Sequence, residues 1–190
     1  GRERVQKAKQ AGAKTERERD WIDAIAVVFE DYDTVPFKQR AQAYTDALAR
    51  LHARWPDDSE AAIQYAFWLQ PSADRNDQTH ARQLESAKLL EPLFATHPNH
   101  PGIAHFLIHA YDFPSIADRG LDAARRYASI APDSPHALHM PSHIFSRAGQ
   151  WQESVATNQR SRAAATRDPD IFHAIDYLGY AHLQLARDRD

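Results

Sequence analysis

Apolar residues recur at three- and four-residue spacing along nearly the whole chain. Trp21, Ile22, Ile25, Ala26 and Phe29 form one such stripe, and Ala43, Tyr44, Ala47, Leu48 and Leu51 form another. This is the period of an amphipathic helix. Strict apolar–polar alternation is nowhere sustained, and no Asn-Gly or Asp-Gly pair offers a hairpin turn. The pattern therefore predicts an all-α protein of about ten helices. Residues 2–11 open it and Gly12 ends that helix. Thr15 with Glu18 makes a capping box for a helix reaching about Tyr32. Pro36 starts the next, which ends before Pro56, and Asp58 or Ser59 caps another that Pro71 stops. Residues 71–77 read as the longest polar loop. Helices are then predicted over 78–95, 100–112 (with Pro101 in its first turn), 114–130, 134–149, 151–167 and 170–188. Short and long helices alternate with brief joints, as in helical hairpins stacked into an α-solenoid.

Composition narrows the class of function. The 190 residues carry a net charge of −3 with 26% charged and 43% hydrophobic residues, an ordinary soluble balance with no electrostatic case for nucleic-acid binding. There is no cysteine, which excludes disulfides, thiolate metal sites and cysteine nucleophiles. No apolar run approaches the roughly 20 residues that cross a bilayer. The expectation is a soluble chain, cytoplasmic or periplasmic. It opens at Gly1 inside what reads as a helix, as a fragment or a processed form would.

Histidine is the residue whose placement departs from a plain helical scaffold. His105 and His109 form a His-x-x-x-His pair, and His139 and His143 form a second, 34 residues later position for position. One further step of the same length lands on His173 and Tyr177. Pro101 and Pro135 open the two units in register, so both pairs occupy unit positions five and nine.

A 34-residue helix–turn–helix period is that of the tetratricopeptide repeat (TPR). Residues 101–134 and 135–168 resemble two TPR units: Ala131-Pro132 and Asp168-Pro169 sit where such repeats carry a closing proline, and Gly149-x-Trp151 matches the turn between paired helices. Residues 1–96 resemble irregular repeats and 170–188 a terminal helix, so the resemblance implies a single TPR-like domain over 1–190. The block HPG-x-AH-x-x-IHAYD followed by HALHMPSHIF is similar to one in a group of bacterial TPR-containing proteins. That likeness implies the fold and brings no reaction with it. It also implies that unit positions five and nine face the concave groove where TPR ligands sit.

Residues four apart on a helix share a face, so each pair of imidazoles can reach one ion. The first helices of successive repeats lie side by side about 10 Å apart, close enough for side chains to converge. His105, His109, His139, His143, His173 and Asp176 are therefore candidate metal ligands. Asp112 follows His109 by three residues and Asp176 follows His173 by three, each as an oxygen ligand or as the acceptor of a ligand histidine's second N–H. Asp112, Asp176 and Tyr177 are the candidates for proton handling if the site is catalytic, which the sequence leaves open. An imidazole-rich set without thiolate suits a transition metal such as Zn, Cu or Fe rather than Mg or Ca.

Competing structural readings exist for each residue. The histidines can line a polar groove wall, satisfied by neighbouring hydroxyls and carbonyls. His136 reads as an end-of-helix residue, and His97 and His100 as solvated residues of a proline-rich joint. Arg147 is either an anion-binding residue or a salt-bridge partner. The four tryptophans, Trp21, Trp55, Trp68 and Trp151, read as packing anchors. Pro141 either kinks the second histidine helix or starts a new one. Ser142 adjoins His143, but adjacent helical residues point apart, which rejects a serine–histidine catalytic pair. Two functions follow. One is a metal-binding TPR-like protein, with an extension to a metalloenzyme. The other is a metal-free module binding a peptide, protein or small molecule in its groove.

Overall fold

The structure, a computed structural model, describes residues 1–74, 76–187 and 189. Arg75 of the predicted polar loop and residue 188 of the predicted last helix lie outside the described residues. Every described element is helical, with no strand among the described residues, as the period of apolar residues requires. Contacts divide the chain into two units, Gly1–Leu89 and Leu90–Asp190. No helix among the described residues is long and apolar enough to cross a membrane.

The first unit holds α1 (Arg2–Ala11), α2 (Glu16–Phe29), α3 (Phe37–Arg54), α4 (Ser59–Leu69) and the start of α5 (Ala81–Thr96). Local chemistry sets these boundaries. Gly12 ends α1 at φ 76°, a conformation that favours glycine. The Thr15–Glu18 capping box opens α2 in full. That helix stops at Phe29, short of the predicted Tyr32, and Asp31 takes a positive φ just beyond it. Asp58 caps α4 and also accepts from Trp21 Nε1 at 3.0 Å and Arg17 Nε at 2.6 Å, tying α4 to α2. The core packs Ala24 and Val28 of α2 against Tyr44, Leu48 and Leu51 of α3, with Trp21, Trp55 and Trp68 around it. Helix α5 begins later than its predicted start at residue 78. Asp77 takes the N–H groups of Thr79 and Ala81 instead, and His80 adopts a positive φ.

The second unit carries the histidines. It comprises α6 (Pro101–Tyr111), a 3-10 turn at Ala117–Gly120, α7 (Leu121–Ile130), α8 (Pro135–His139), α9 (Pro141–Arg147), α10 (Trp151–Ala164) and α11 (Asp168–Gln184). His100 is the N-cap of α6, its Nδ1 accepting from Ile103 N, so its imidazole has a structural task rather than a solvated one. Ser134 caps α8 in the same way. Helix α6 packs on α7, α7 on α9, α8 and α9 on α10, and α10 on α11. Gly120 permits the close approach of α9 to this layer: a Cβ there would meet Ile144 Cδ1 at 2.8 Å and Tyr111 Cβ at 3.1 Å.

Pro141 divides the second histidine helix, and α9 starts at it. Met140 between the two pieces keeps right-handed helical angles, so the direction of the chain is barely interrupted. The division leaves carbonyls to satisfy, and side chains do so. Ser142 Oγ donates to His139 O at 2.7 Å, Ser161 Oγ to Pro135 O at 2.8 Å and Thr157 Oγ1 to Leu138 O. This explains why α10 buries Thr157 and Ser161, while Asn158 is buried against His139 and Ser154 against Ser146. Ser142 is wholly buried and structural, which agrees with its rejection as a nucleophile.

Candidate metal centre

Six imidazoles gather in the second unit, from α6, α8, α9 and α11. On α6 the i, i+4 spacing brings His109 Nε2 to 3.1 Å from His105 Nε2. The second pair does the same across the Pro141 division, with His139 Nε2 at 3.1 Å from His143 Nε2. His173 then joins the second pair from α11, its ring centroid 4.2 Å from that of His139. One ligand atom from each of His139, His143 and His173 lies within 4.8 Å of the others, the one such trio among the described residues. His136 joins the first pair, its Nε2 being 3.2 Å from His105 Nε2. The ring centroids of His109 and His143 stand 6.4 Å apart, where the two groups adjoin.

The trio is oriented by its neighbours. His139 is buried, and its Nδ1 lies 2.7 Å from Asn158 Oδ1. The amide of Asn158 is itself fixed, because Nδ2 donates to Ser154 O at 2.8 Å. Asn158 therefore offers oxygen, and His139 Nδ1 is the donor. His143 Nδ1 lies 2.9 Å from Asp112 Oδ2 and donates to that carboxylate. With both Nδ1 positions protonated, the Nε2 lone pairs of His139 and His143 point at one another across 3.1 Å. A cation or a shared proton between them would satisfy both nitrogens.

Burial favours the neutral form of four of these rings, His105, His109, His136 and His139. Burial pushes His139 down to about 4, against the opposing hydrogen bond to Asn158. Burial and then the charge on His109 push His105 down to about 3. His109 and His136 are lowered as well, chiefly by burial. Burial pushes the Asp112 carboxyl up, but hydrogen bonds from His143 and Arg147 outweigh it and hold it below the usual carboxylate range. Arg147 Nε donates to Asp112 Oδ1 at 3.1 Å, which makes it a salt-bridge partner of Asp112. Tyr177 sets its ring edge-on to His139, with its hydroxyl 3.3 Å from His143 Nδ1. Burial, followed by the charge on Asp112, raises the pKa of that phenol.

The structure redistributes several residues that the sequence singles out. The four paired histidines converge, but as two adjoining groups. Asp112 serves His143 of the next unit, not only its own helix. Asp176 is exposed on α11 and stands outside the trio, because the helix turns His173 and Tyr177 toward α8 and α9. His136 is drawn in by tertiary packing. Its only signal in the sequence is that it precedes His139 by three residues, close to one helical turn.

Comparison with solved structures gives the same architecture. MamA from Desulfovibrio magneticus RS-1, from its residue 41 to the end, aligns with a TM-score of 0.70 at 11% identity, covering 93% of this chain and 90% of that one. A mutant form of MamA aligns with a TM-score of 0.61 at 13% identity, covering 89% and 91%. The fold is TPR-like. No family model and no curated protein matches the chain. At these identities the likeness concerns the fold alone, and the function rests on the site.

Proposed function

We propose that this chain is a metal-binding TPR-like protein whose transition-metal ion is held by His139, His143 and His173. One observation carries the reading: His139 Nε2 and His143 Nε2 meet at 3.1 Å while Asn158 and Asp112 occupy both Nδ1 positions. Two nitrogens bound tetrahedrally at about 2.0–2.1 Å from zinc stand about 3.4 Å apart, so the pair is set close to the separation an ion requires. The supporting acceptors fix tautomer and ring orientation, the usual task of groups behind ligand histidines. Nitrogen donors without thiolate select Zn, Cu or Fe.

Three protein ligands leave a coordination position open, the count found in catalytic rather than structural zinc sites. A metalloenzyme is the extension of this reading, in which the bound ion supplies a Lewis acid or activates water. Asp112 and Tyr177 then stand at the edge of the site as proton-handling groups, while exposed Asp176 acts on Tyr177 through its charge.

The deciding experiment is elemental analysis of protein purified without a polyhistidine tag, alongside the His139→Ala/His143→Ala double variant. Transition metal in the parent protein, lost in the variant with helicity retained, supports the proposal. Parent protein that carries no metal and takes up no added Zn²⁺, Cu²⁺ or Fe²⁺ overturns it.

A second reading has its own observation. Phe172, Ile175 and Leu183 are exposed along one side of α11, with Phe172 65% and Leu183 64% accessible. An apolar stripe of this kind suits a protein or peptide partner, and the TPR-like fold suggests such partners. Binding of a partner that persists with chelator present and fails in Phe172→Asp would favour this metal-free reading.

A further inference from the structure

The last helix repeats the register of the two units before it but not their burial. Phe172, Ile175 and Gly179 of α11 lie 34 residues after Leu138, Pro141 and Phe145. Those in turn lie 34 residues after Ala104, Leu107 and Tyr111. All six earlier residues are buried, in helices that pack on the second helix of their own unit, α7 or α10. On α11 the same positions are open. Phe172 is 65% accessible, Ile175 41%, Gly179 is exposed, and Leu183 one turn further on continues the stripe at 64%. The buried residues of this helix, Ala174, Leu178 and Ala181, lie on its other side, where it packs on α10. A helix face of this kind is ordinarily covered by another helix.

The stripe is complementary to itself. Phe172 and Leu183 stand equally far from the point between Tyr177 and Leu178, and so do Ile175 and Tyr180, which is also exposed. A second α11 laid antiparallel about that point sets Phe172 against the partner's Leu183 and Ile175 against the partner's Tyr180. The charges follow the same register, since Asp168 in the first turn then faces the partner's Arg187 just beyond the last turn. Asp176 faces no like charge, because the partner's Gly179 takes the position opposite. Glycine weakens a helix interior, and a Cβ on Gly179 would meet nothing within 4 Å among the described residues. Packing within the chain gives no reason for it, whereas close approach of a second helix does.

We propose that α11 pairs antiparallel with α11 of a second copy, so that the protein self-associates as a two-fold dimer. This rests on the reading of the α11 stripe as a protein-binding surface and names its occupant. The interface is isologous, so each contact occurs twice. A contact confined to one helix from each copy is at the small end of specific interfaces, and association belongs to the micromolar range.

The test is sedimentation equilibrium of the whole tag-free chain across micromolar concentrations. Chelator is present so that no metal bridges the copies, and circular dichroism checks helicity in every variant. The mass is expected to rise from one chain toward two with concentration. Phe172→Asp and Leu183→Asp should each weaken association by about tenfold or more, because both copies carry the change. Asp168→Arg and Arg187→Asp should each weaken it as well. An equimolar mixture of those two variants should restore it, since both end contacts then join opposite charges. A chain that is monomeric at every concentration overturns the proposal. If such a monomer still takes a different partner, lost in Phe172→Asp, the protein-partner reading stands without the self-pairing. A dimer unchanged in Phe172→Asp and Leu183→Asp places the interface elsewhere and overturns the proposal too. A mixture that does not recover overturns the antiparallel register.

Discussion

Asp112, at the end of the first histidine helix, accepts a hydrogen bond from His143 Nδ1 at 2.9 Å, 31 residues further along the chain. Arg147 Nε holds the other carboxylate oxygen at 3.1 Å. The ring that α9 contributes to the proposed metal centre is thus aimed by a residue of the preceding repeat.

Replacing Asp112 with Asn keeps an acceptor of similar shape and removes the charge that strengthens His143 as a ligand. Metal affinity is expected to fall by about 10–100-fold with helicity unchanged, the usual cost of losing such a partner. Competition against a chromophoric chelator measures it, and an unaltered affinity would mean that the carboxylate does not support the ligand.

Asn158 orients His139 from beneath, in a position with no access to water. Asn158→Ala leaves the buried Nδ1–H of His139 without its acceptor. The expected loss is about 1–3 kcal/mol of stability in urea denaturation, together with weaker metal binding as the ring becomes free to change tautomer.

The metal-free protein is expected to lose stability in acid. Burial holds His139 at about 4 and His105 at about 3, both below the ordinary histidine value of 6.5. Folded rings stay neutral where unfolded ones take a proton, so their contribution is fully present above about pH 6.5. It drains away as pH falls from there toward 4 and then 3. Thermal melts across this range should show the decline, and His105→Gln should flatten it; a melting temperature flat between pH 7 and 4 would contradict the neutral-ring assignment.

Gly120 is a packing residue. A side chain there meets Ile144 Cδ1 at 2.8 Å and Tyr111 Cβ at 3.1 Å, both from buried residues. Gly120→Ala is expected to cost about 1–3 kcal/mol through overpacking, read from the midpoint of chemical denaturation.

What the sequence determined by itself was local. The Thr15–Glu18 capping box, the prolines at the first turns of α6 and α8, and the spacing of apolar residues gave an all-helical chain because each depends on neighbours within one or two turns. The pairs His105/His109 and His139/His143 were legible for the same reason, since four residues on a helix return to one face. Their 34-residue register pointed to convergence between repeats.

Which imidazoles share an atom was decided only in three dimensions. His136 reaches His105 and His173 reaches His139 because α6, α8 and α11 come together across layers, and no spacing in the chain encodes those distances. Asp112 and Asp176 have the same offset from their histidines. Yet one turns inward to His143 and Arg147 while the other remains in solvent. Pro141 offered two outcomes to the sequence, and the packing of α10 decided between them. Its hydroxyls supply donors to carbonyls around the division, so that two short helices hold one histidine pair. Helical period is fixed by the backbone within a turn, whereas side-chain convergence depends on how separate helices pack and on which partner satisfies each buried polar atom.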